Sequence, residues 1–225
     1  MTARNEMGAG SAQTSYTPAL GHKALTPLYD GAIALATRER VWRELLIEAI
    51  ALKVGERLLD VGCGTGSLLM GLAKTTPGAV FVGLDPDPEV LARAKRRAGE
   101  GVAFKQGFLD EAFVSAHAPF DVVASSLVLH QTPLETKRRM LRHMRNALRT
   151  GGRLCIADYG LQSSPLMRLA FRTTVQALDG VEDTQPNADG VLPTLMAEAG
   201  FAHVDEIANI PTPTGEISIW RAKID

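Results

Sequence analysis

Glycines alternate with other residues at positions 62–66, Gly-Cys-Gly-Thr-Gly, and an aspartate stands two residues before them at position 60. The apolar residues on either side predict a buried parallel strand, a tight turn and the start of a helix. Glycine lets a ligand approach the bare backbone, and the first turn of a helix presents free N–H groups. The carboxylate of Asp60 can accept a hydrogen bond from an ammonium group. These residues therefore predict a ligand site at this turn.

The glycine spacing narrows the class of ligand. A dinucleotide fingerprint places its third glycine one residue later, and a phosphate-binding P-loop ends in Gly-Lys-Ser/Thr, which is absent here. A lone Gly-x-Gly also occurs at strand–helix turns without a ligand. Two neighbours favour binding: Asp85 ends the next strand about 20 residues on, where an acid binds ribose hydroxyls, and Ser125 lies in a buried strand that reaches the same edge.

Strands and helices alternate around these residues, which predicts an open, mostly parallel α/β sheet with its ligand at the strand C-termini. A helix runs from about position 32 to Gly55 and precedes the first strand. A helix near 164–178 and another at 191–199 precede a hairpin that closes the sheet edge. The predicted strands are 57–61, 79–84, 102–105, 119–126, 153–157, 201–207 and 216–223.

Length and charge exclude several classes of protein. A chain of 225 residues can form a single domain with one sizeable core. The 24 basic and 25 acidic residues nearly balance, so the total charge gives no reason to expect nucleic acid as the main partner. No run of apolar residues is long enough to span a membrane. The first 15 residues are small and polar, which predicts a disordered leader in a cytoplasmic protein.

Four motifs in order resemble those of the class I S-adenosylmethionine-dependent methyltransferases, and in particular the small-molecule branch that includes quinone and lipid methylases. The motifs are 58–66, 83–86, 120–130 and 148–154. The resemblance implies a Rossmann-like, mostly parallel seven-stranded sheet with an antiparallel C-terminal hairpin and an N-terminal helical cap. It divides a single domain, 16–225, into a cap at 16–52, a cofactor-binding core at 53–160, and an acceptor-side insert with the closing hairpin at 161–225.

The resemblance also implies S-adenosyl-L-methionine as cofactor and a small-molecule acceptor. Asp85 would then bind the ribose diol. Gly107 and Phe108 stand where the family often has an acidic residue beside the adenine. Tyr16 and Tyr29 fall in the cap that covers the methyl site. The remaining cofactor contacts are Asp60, Gly62, Cys63, Gly64, Pro86 and Ser125.

Methyl transfer is an in-line displacement, so positioning and desolvation supply much of the rate. A general base is needed only for an acceptor that arrives protonated and weakly acidic. His130 is the best-placed candidate for it, and a histidine that hydrogen-bonds its own loop is an equally good interpretation. Tyr159 either lines the acceptor pocket or covers the sheet edge. Tyr29 is the second catalytic candidate.

Other features bear on partners and on alternative functions. Asp158 is followed by Tyr159 rather than by the asparagine of catechol-type methylases, so we predict no metal. Arg138, Arg142, Arg145 and Arg149 form a stripe that either contacts anionic lipid or is a solvated helix face. The alternatives to a methyltransferase are a methyltransferase-like binding module without activity and, less favoured by the glycine spacing, an NAD-dependent oxidoreductase.

Overall fold

A computed structural model describes residues 37–99 and 101–224 of the chain. The expected leader and most of the expected cap, including Tyr16 and Tyr29, lie outside the described residues.

Seven strands form one sheet in the order β3-β2-β1-β4-β5-β7-β6. The first five strands run parallel, and β7 pairs antiparallel with both β5 and β6. This confirms the predicted fold class. The strands are β1 Arg57–Val61, β2 Val80–Asp85, β3 Val102–Gln106, β4 Phe120–Ser126, β5 Leu148–Tyr159, β6 Ala202–Thr212 and β7 Gly215–Lys223.

Helices cover both faces of the sheet, as right-handed crossovers between parallel strands require. A 3₁₀ turn, Leu129–Gln131, follows β4. The helices are α1 Glu39–Ile50, α2 Ser67–Thr75, α3 Pro88–Arg97, α4 Glu111–His117, α5 Leu134–Ala147, α6 Pro165–Thr173, α7 Val175–Asp179, α8 Val181–Ala188 and α9 Leu192–Glu198.

Alternate residues of the strands pack into two separate apolar layers, one on each face. Leu58 joins the layer that contains Trp42 of α1, whereas Leu59 joins the layer that contains Leu141 of α5. Both leucines are fully buried. The central strands are therefore held rigidly on two sides, and their C-terminal ends present functional side chains at fixed positions.

Several element boundaries differ from the sequence-based prediction. The helix expected near 164–178 is divided into α6 and α7 at Thr174, whose φ of −114° and ψ of −77° depart from helical values. Helix α8 was not predicted, because Pro186 lies inside it and the residues around that proline are typical of a turn. Helix α1 ends at Ile50 rather than Gly55, with Ala51 in the left-handed conformation.

The arginine stripe is also shorter than predicted. Helix α5 ends at Ala147, and Arg149 belongs to β5, where its guanidinium is 2.5 Å from the carboxylate of Asp121. The stripe was wrong at this position because the chain leaves the helix before the fourth arginine.

Candidate functional site

The glycine loop is attached to the end of the neighbouring strand by its own backbone. The amides of Gly62 and Cys63 donate to the carbonyl of Leu84 at 2.8 and 3.1 Å. At Gly62, with φ of 74°, an added Cβ would overlap the side chain of Val128. At Gly64, with φ of 51°, no described atom outside Gly64 and its two chain neighbours lies within 4 Å of where a Cβ would be. Packing thus accounts for the first glycine, while the backbone of the second is open to a ligand.

Asp85 ends β2 with its carboxylate against the loop. One oxygen accepts from the Gly64 amide and the other from the Asp87 amide, each at 2.9 Å. Burial raises the pKa of Asp85, and these two amides oppose the shift. Each oxygen keeps a further lone pair for a ligand donor. The carboxylate is therefore held rigidly beside the open backbone of Gly64.

Asp60 is the residue before the last in β1 and lies almost fully inside the protein, with 1% of its surface exposed. Burial raises its pKa to about 7, against the lowering effect of Arg43. Its Oδ1 atom has no hydrogen-bond partner within residues 37–99 and 101–224. A buried oxygen without a donor is costly, and an ammonium group bound here would satisfy it. This fits a cofactor that carries a free amino group.

Three of the predicted cofactor contacts are already used within the protein. The Cys63 thiol is buried, which raises its pKa, and its sulfur lies against the backbone of β2 at Gly83. The hydroxyl of Ser125 donates to the carbonyl of Val61 at 2.8 Å, which joins β4 to the start of the loop. The carbonyl of Pro86 accepts from the Gln106 side chain at 3.3 Å. The three residues therefore hold the loop and the neighbouring strand ends in place through contacts within the protein.

The predicted adenine contacts lie at the end of β3. The Gly107 amide donates to the carbonyl of Asp85 at 3.0 Å, which brings the two strand ends together. The Phe108 ring is 51% exposed, an unusual position for a large apolar side chain. Asp110 caps helix α4 by accepting from the Phe113 amide at 2.7 Å. Phe108 and Asp110 are thus both exposed, and one carboxylate oxygen of Asp110 is used for the helix cap.

His130 lies in the 3₁₀ turn after β4, enclosed between two carboxylates. Its Nδ1 atom is 2.8 Å from Asp158 and its Nε2 atom 3.5 Å from Asp179. Burial disfavours the charged ring, but the two carboxylates outweigh it and raise the pKa of His130 to about 9. The ring is therefore an imidazolium at neutral pH.

Asp158 is the anchor of this group. Its oxygens accept from the backbone amides of Val128, Leu129 and Tyr159 at 2.7–3.1 Å, in addition to the His130 ring. Such a saturated carboxylate fixes the orientation of the ring. Asp179, by contrast, ends the five-residue helix α7 and has 26% of its side chain exposed. The contact at Nε2 is thus the longer and more accessible of the two.

Tyr159 connects His130 to the helices that follow β5. Its ring meets the ring of His130 edge-on at 5.0 Å and lies 5.1 Å from the ring of Phe171. Its hydroxyl is 2.8 Å from the hydroxyl of Thr214, and burial raises its pKa to about 12. Its carbonyl accepts from the Asn187 side chain at 2.9 Å. Tyr159 therefore stays protonated and separates His130 from α6.

Sequence reasoning did not identify three residues that contact His130 or its turn. Asp158 was detectable, because it and His130 follow neighbouring parallel strands whose ends must meet. No sequence pattern indicated Asp179 or Lys137. Both residues reach the His130 turn from helices whose packing against it cannot be predicted from local sequence. The buried Lys137 ammonium donates to backbone carbonyls of that turn.

The remaining expectations concern metals, membranes and the arginines. Within the described ranges, no cluster of three or more His, Cys, Asp or Glu side chains is arranged to hold a metal. None of the helices described is long and apolar enough to cross a bilayer. Arg138 bonds to Glu135 and Glu198, and Arg145 donates to the carbonyl of Gly200 at 3.3 Å.

Comparisons with known proteins agree on one family. A family model described as a methyltransferase domain matches residues 59–154. An uncharacterized methyltransferase of Synechocystis is 29% identical over 171 residues, which are 74% of this chain and 76% of that protein. A ubiquinone/menaquinone biosynthesis C-methyltransferase of Methylococcus capsulatus is 30% identical over 59% of this chain, which spans only 54% of that relative.

Among solved structures, the magnesium protoporphyrin IX methyltransferase of Synechocystis with bound S-adenosylhomocysteine superposes with a TM-score of 0.64 at 18% identity. The match covers 91% of this chain and 90% of that protein. At this identity the likeness shows the fold.

Proposed function

Because this chain belongs to the class I S-adenosylmethionine-dependent methyltransferases, we propose that it transfers a methyl group to a small-molecule acceptor. The family's cofactor is S-adenosylmethionine. One observation carries the proposal: the buried Oδ1 atom of Asp60 has no partner among the described residues and lies at the sheet edge where Gly64 and Asp85 are also found. This arrangement supplies an anionic receptor for an ammonium group and a second carboxylate for a diol.

The cofactor residues have separate tasks in this proposal. Asp60 binds the ammonium group, and Asp85 accepts hydrogen bonds from the ribose hydroxyls. Gly62 and Gly64 shape the loop, with the open side at Gly64. When bound, the cofactor supplies a methyl group on a positively charged sulfur. The other predicted contacts are Cys63, Pro86, Gly107, Phe108 and Ser125.

The acceptor side of the proposal centres on His130. Since Asp158 holds its Nδ1 atom, only Nε2 can exchange a proton with an acceptor. Asp179 lies next to that nitrogen. Its side chain is partly exposed, so an acceptor can displace it from Nε2. His130 accepts the acceptor's proton once the ring is neutral, so turnover by this route increases with pH up to about 9.

The acceptor lies, in this proposal, between the cap at 16–52 and the insert that begins after β5. Tyr159 lines the base of the pocket, while Tyr16 and Tyr29 would close it from the cap. An apolar, quinone-like or lipid-like acceptor is supported by the large apolar side chains exposed on the insert helices, and by the similarity to the quinone C-methyltransferase. The exposed residues are Leu166, Leu169, Leu178 and Val181.

Calorimetry with S-adenosylmethionine, S-adenosylhomocysteine and NAD tests the cofactor assignment. We expect both adenosyl ligands to bind and NAD to fail. Binding of NAD alone would indicate an oxidoreductase and overturn the proposal.

A screen of acceptors that follows S-adenosylhomocysteine release tests the reaction. Quinones, phenols and carboxylic acids should be compared at equal concentration. Tight cofactor binding with no turnover on any acceptor class would indicate a binding module instead of an enzyme.

A further inference from the structure

Lys137 is a fully buried lysine with 0% of its surface exposed. Its ammonium donates to four backbone carbonyls, at 2.5 Å from Leu129, 3.3 Å from His130, 2.6 Å from Thr132 and 2.8 Å from Asp183. Burying a cation is costly unless its donors are satisfied. Here three protons serve four oxygens, so every donor has a partner.

The four carbonyls come from two different parts of the fold. Three belong to the 3₁₀ turn that carries His130 and to the residue after it. The fourth, that of Asp183, lies in α8 of the insert, 46 residues after Lys137 in the chain. A short 3₁₀ turn has few internal hydrogen bonds to keep its shape. If the ammonium were removed, the carbonyls that it binds would lose a hydrogen-bond donor inside the protein, which is costly.

We propose that Lys137 is a positioning residue that fixes the 129–132 turn, and so holds His130 against Asp158 and joins this turn to α8. The importance of this contact for catalysis rests on the proposed function of His130. The positioning itself does not, and it can be measured without cofactor or acceptor.

The ammonium has no direct part in the proposed proton transfer. All of its contacts are carbonyl oxygens, and its hydrogen bond to His130 reaches the backbone rather than the ring. The charged groups that face Lys137 are Asp158 and Asp183. Those that face the His130 ring are Asp158 and Asp179, with the Tyr159 ring at its edge.

NMR titration of the His130 ring in Lys137→Met tests the proposal, because two explanations predict opposite shifts. If Lys137 acted only as a nearby positive charge, its removal would raise the pKa of His130. If it positions the turn, its loss lets the ring leave Asp158, and the pKa falls from about 9 towards the ordinary 6.5. We expect a fall of at least one unit; an unchanged or raised pKa would overturn the proposal.

The matched control is Arg139→Met, which removes an exposed cation two residues along the same helix. It should leave the pKa of His130 unchanged. The His130→Gln variant identifies the correct resonance among the five histidines. If Lys137→Met does not fold, the same titration in Lys137→Leu, which also lacks both the charge and the N–H donors, decides by the same criterion.

Chemical rescue provides a second measurement. Lys137→Ala lacks the equivalent of n-propylamine, so n-propylammonium should restore the high pKa of His130. Tetramethylammonium has the same charge but no N–H donor and should not restore it. Equal effects of the two ions would show that charge alone matters and would contradict positioning.

Discussion

Cofactor affinity should depend steeply on pH through Asp60. In the absence of a ligand its pKa is about 7, because burial disfavours the carboxylate. An ammonium group that pairs with Oδ1 returns the pKa towards its ordinary value of 3.8. Binding of S-adenosylmethionine therefore requires ionised Asp60, and acid must weaken it.

The magnitude follows from the two pKa values. With a free pKa of about 7, about half of the Asp60 side chains are ionised at pH 7 and about 1% at pH 5. Affinity should then fall about fiftyfold from pH 7 to pH 5, a loss of about 2.3 kcal/mol. An amino group, with an ordinary pKa of about 8, stays mostly protonated over this range.

Calorimetry in buffers of different ionisation enthalpy measures both the affinity and the protons released. We expect release of about half a proton at pH 7 and nearly one at pH 5.5, from the same two pKa values. Asp60→Asn should bind more weakly and lose the pH dependence, whereas His130→Gln should keep it. An affinity that is constant between pH 5 and pH 7, with no proton release, would refute the assignment of Asp60.

Three further predictions concern other parts of the site. Asp85→Ala should weaken S-adenosylmethionine binding at least tenfold by removing a charged acceptor worth about 1.5–3 kcal/mol; unchanged affinity in calorimetry would contradict the ribose assignment. Asp179→Asn removes one of the carboxylates that raise the pKa of His130, so the rise of kcat with pH should move to lower pH. If the pH profile of kcat did not move, the group whose titration controls turnover would not be His130. Gly62→Ala should reduce the free energy of unfolding by about 1–3 kcal/mol through overlap with Val128, and the double variant with Val128→Ala should recover part of this loss in thermal denaturation. No recovery would attribute the cost to the positive φ of Gly62 alone.

The sequence predicted the sheet well because the evidence for it is local. Asp60, Asp85 and Ser125 each follow or end an apolar run, and parallel strands must bring their ends to one edge. Helix α3 also begins at a local signal, because Asp87 precedes Pro88 and its side chain accepts from the amides of Glu89 and Val90.

The acceptor side was harder to predict, because its contacts join distant segments. Asp179 reaches His130 from a five-residue helix that has no clear periodicity, and Lys137 resembles any basic residue on the solvated face of α5. The break at Thr174 and the helical Pro186 oppose local propensity. Tertiary packing decides these positions, and a single sequence contains no pattern that reveals it.

The sheet order has a consequence for folding. Strand β7 lies between β5 and β6, yet it follows both in the chain. Ile217 and Ile219 of β7 are fully buried against the core. During synthesis, β5 therefore has an unpaired edge until the ribosome has released β7, and β6 has no strand to join. Completion of the sheet is thus a late, long-range step, and nascent chains that stall before β7 should be the species most prone to aggregation.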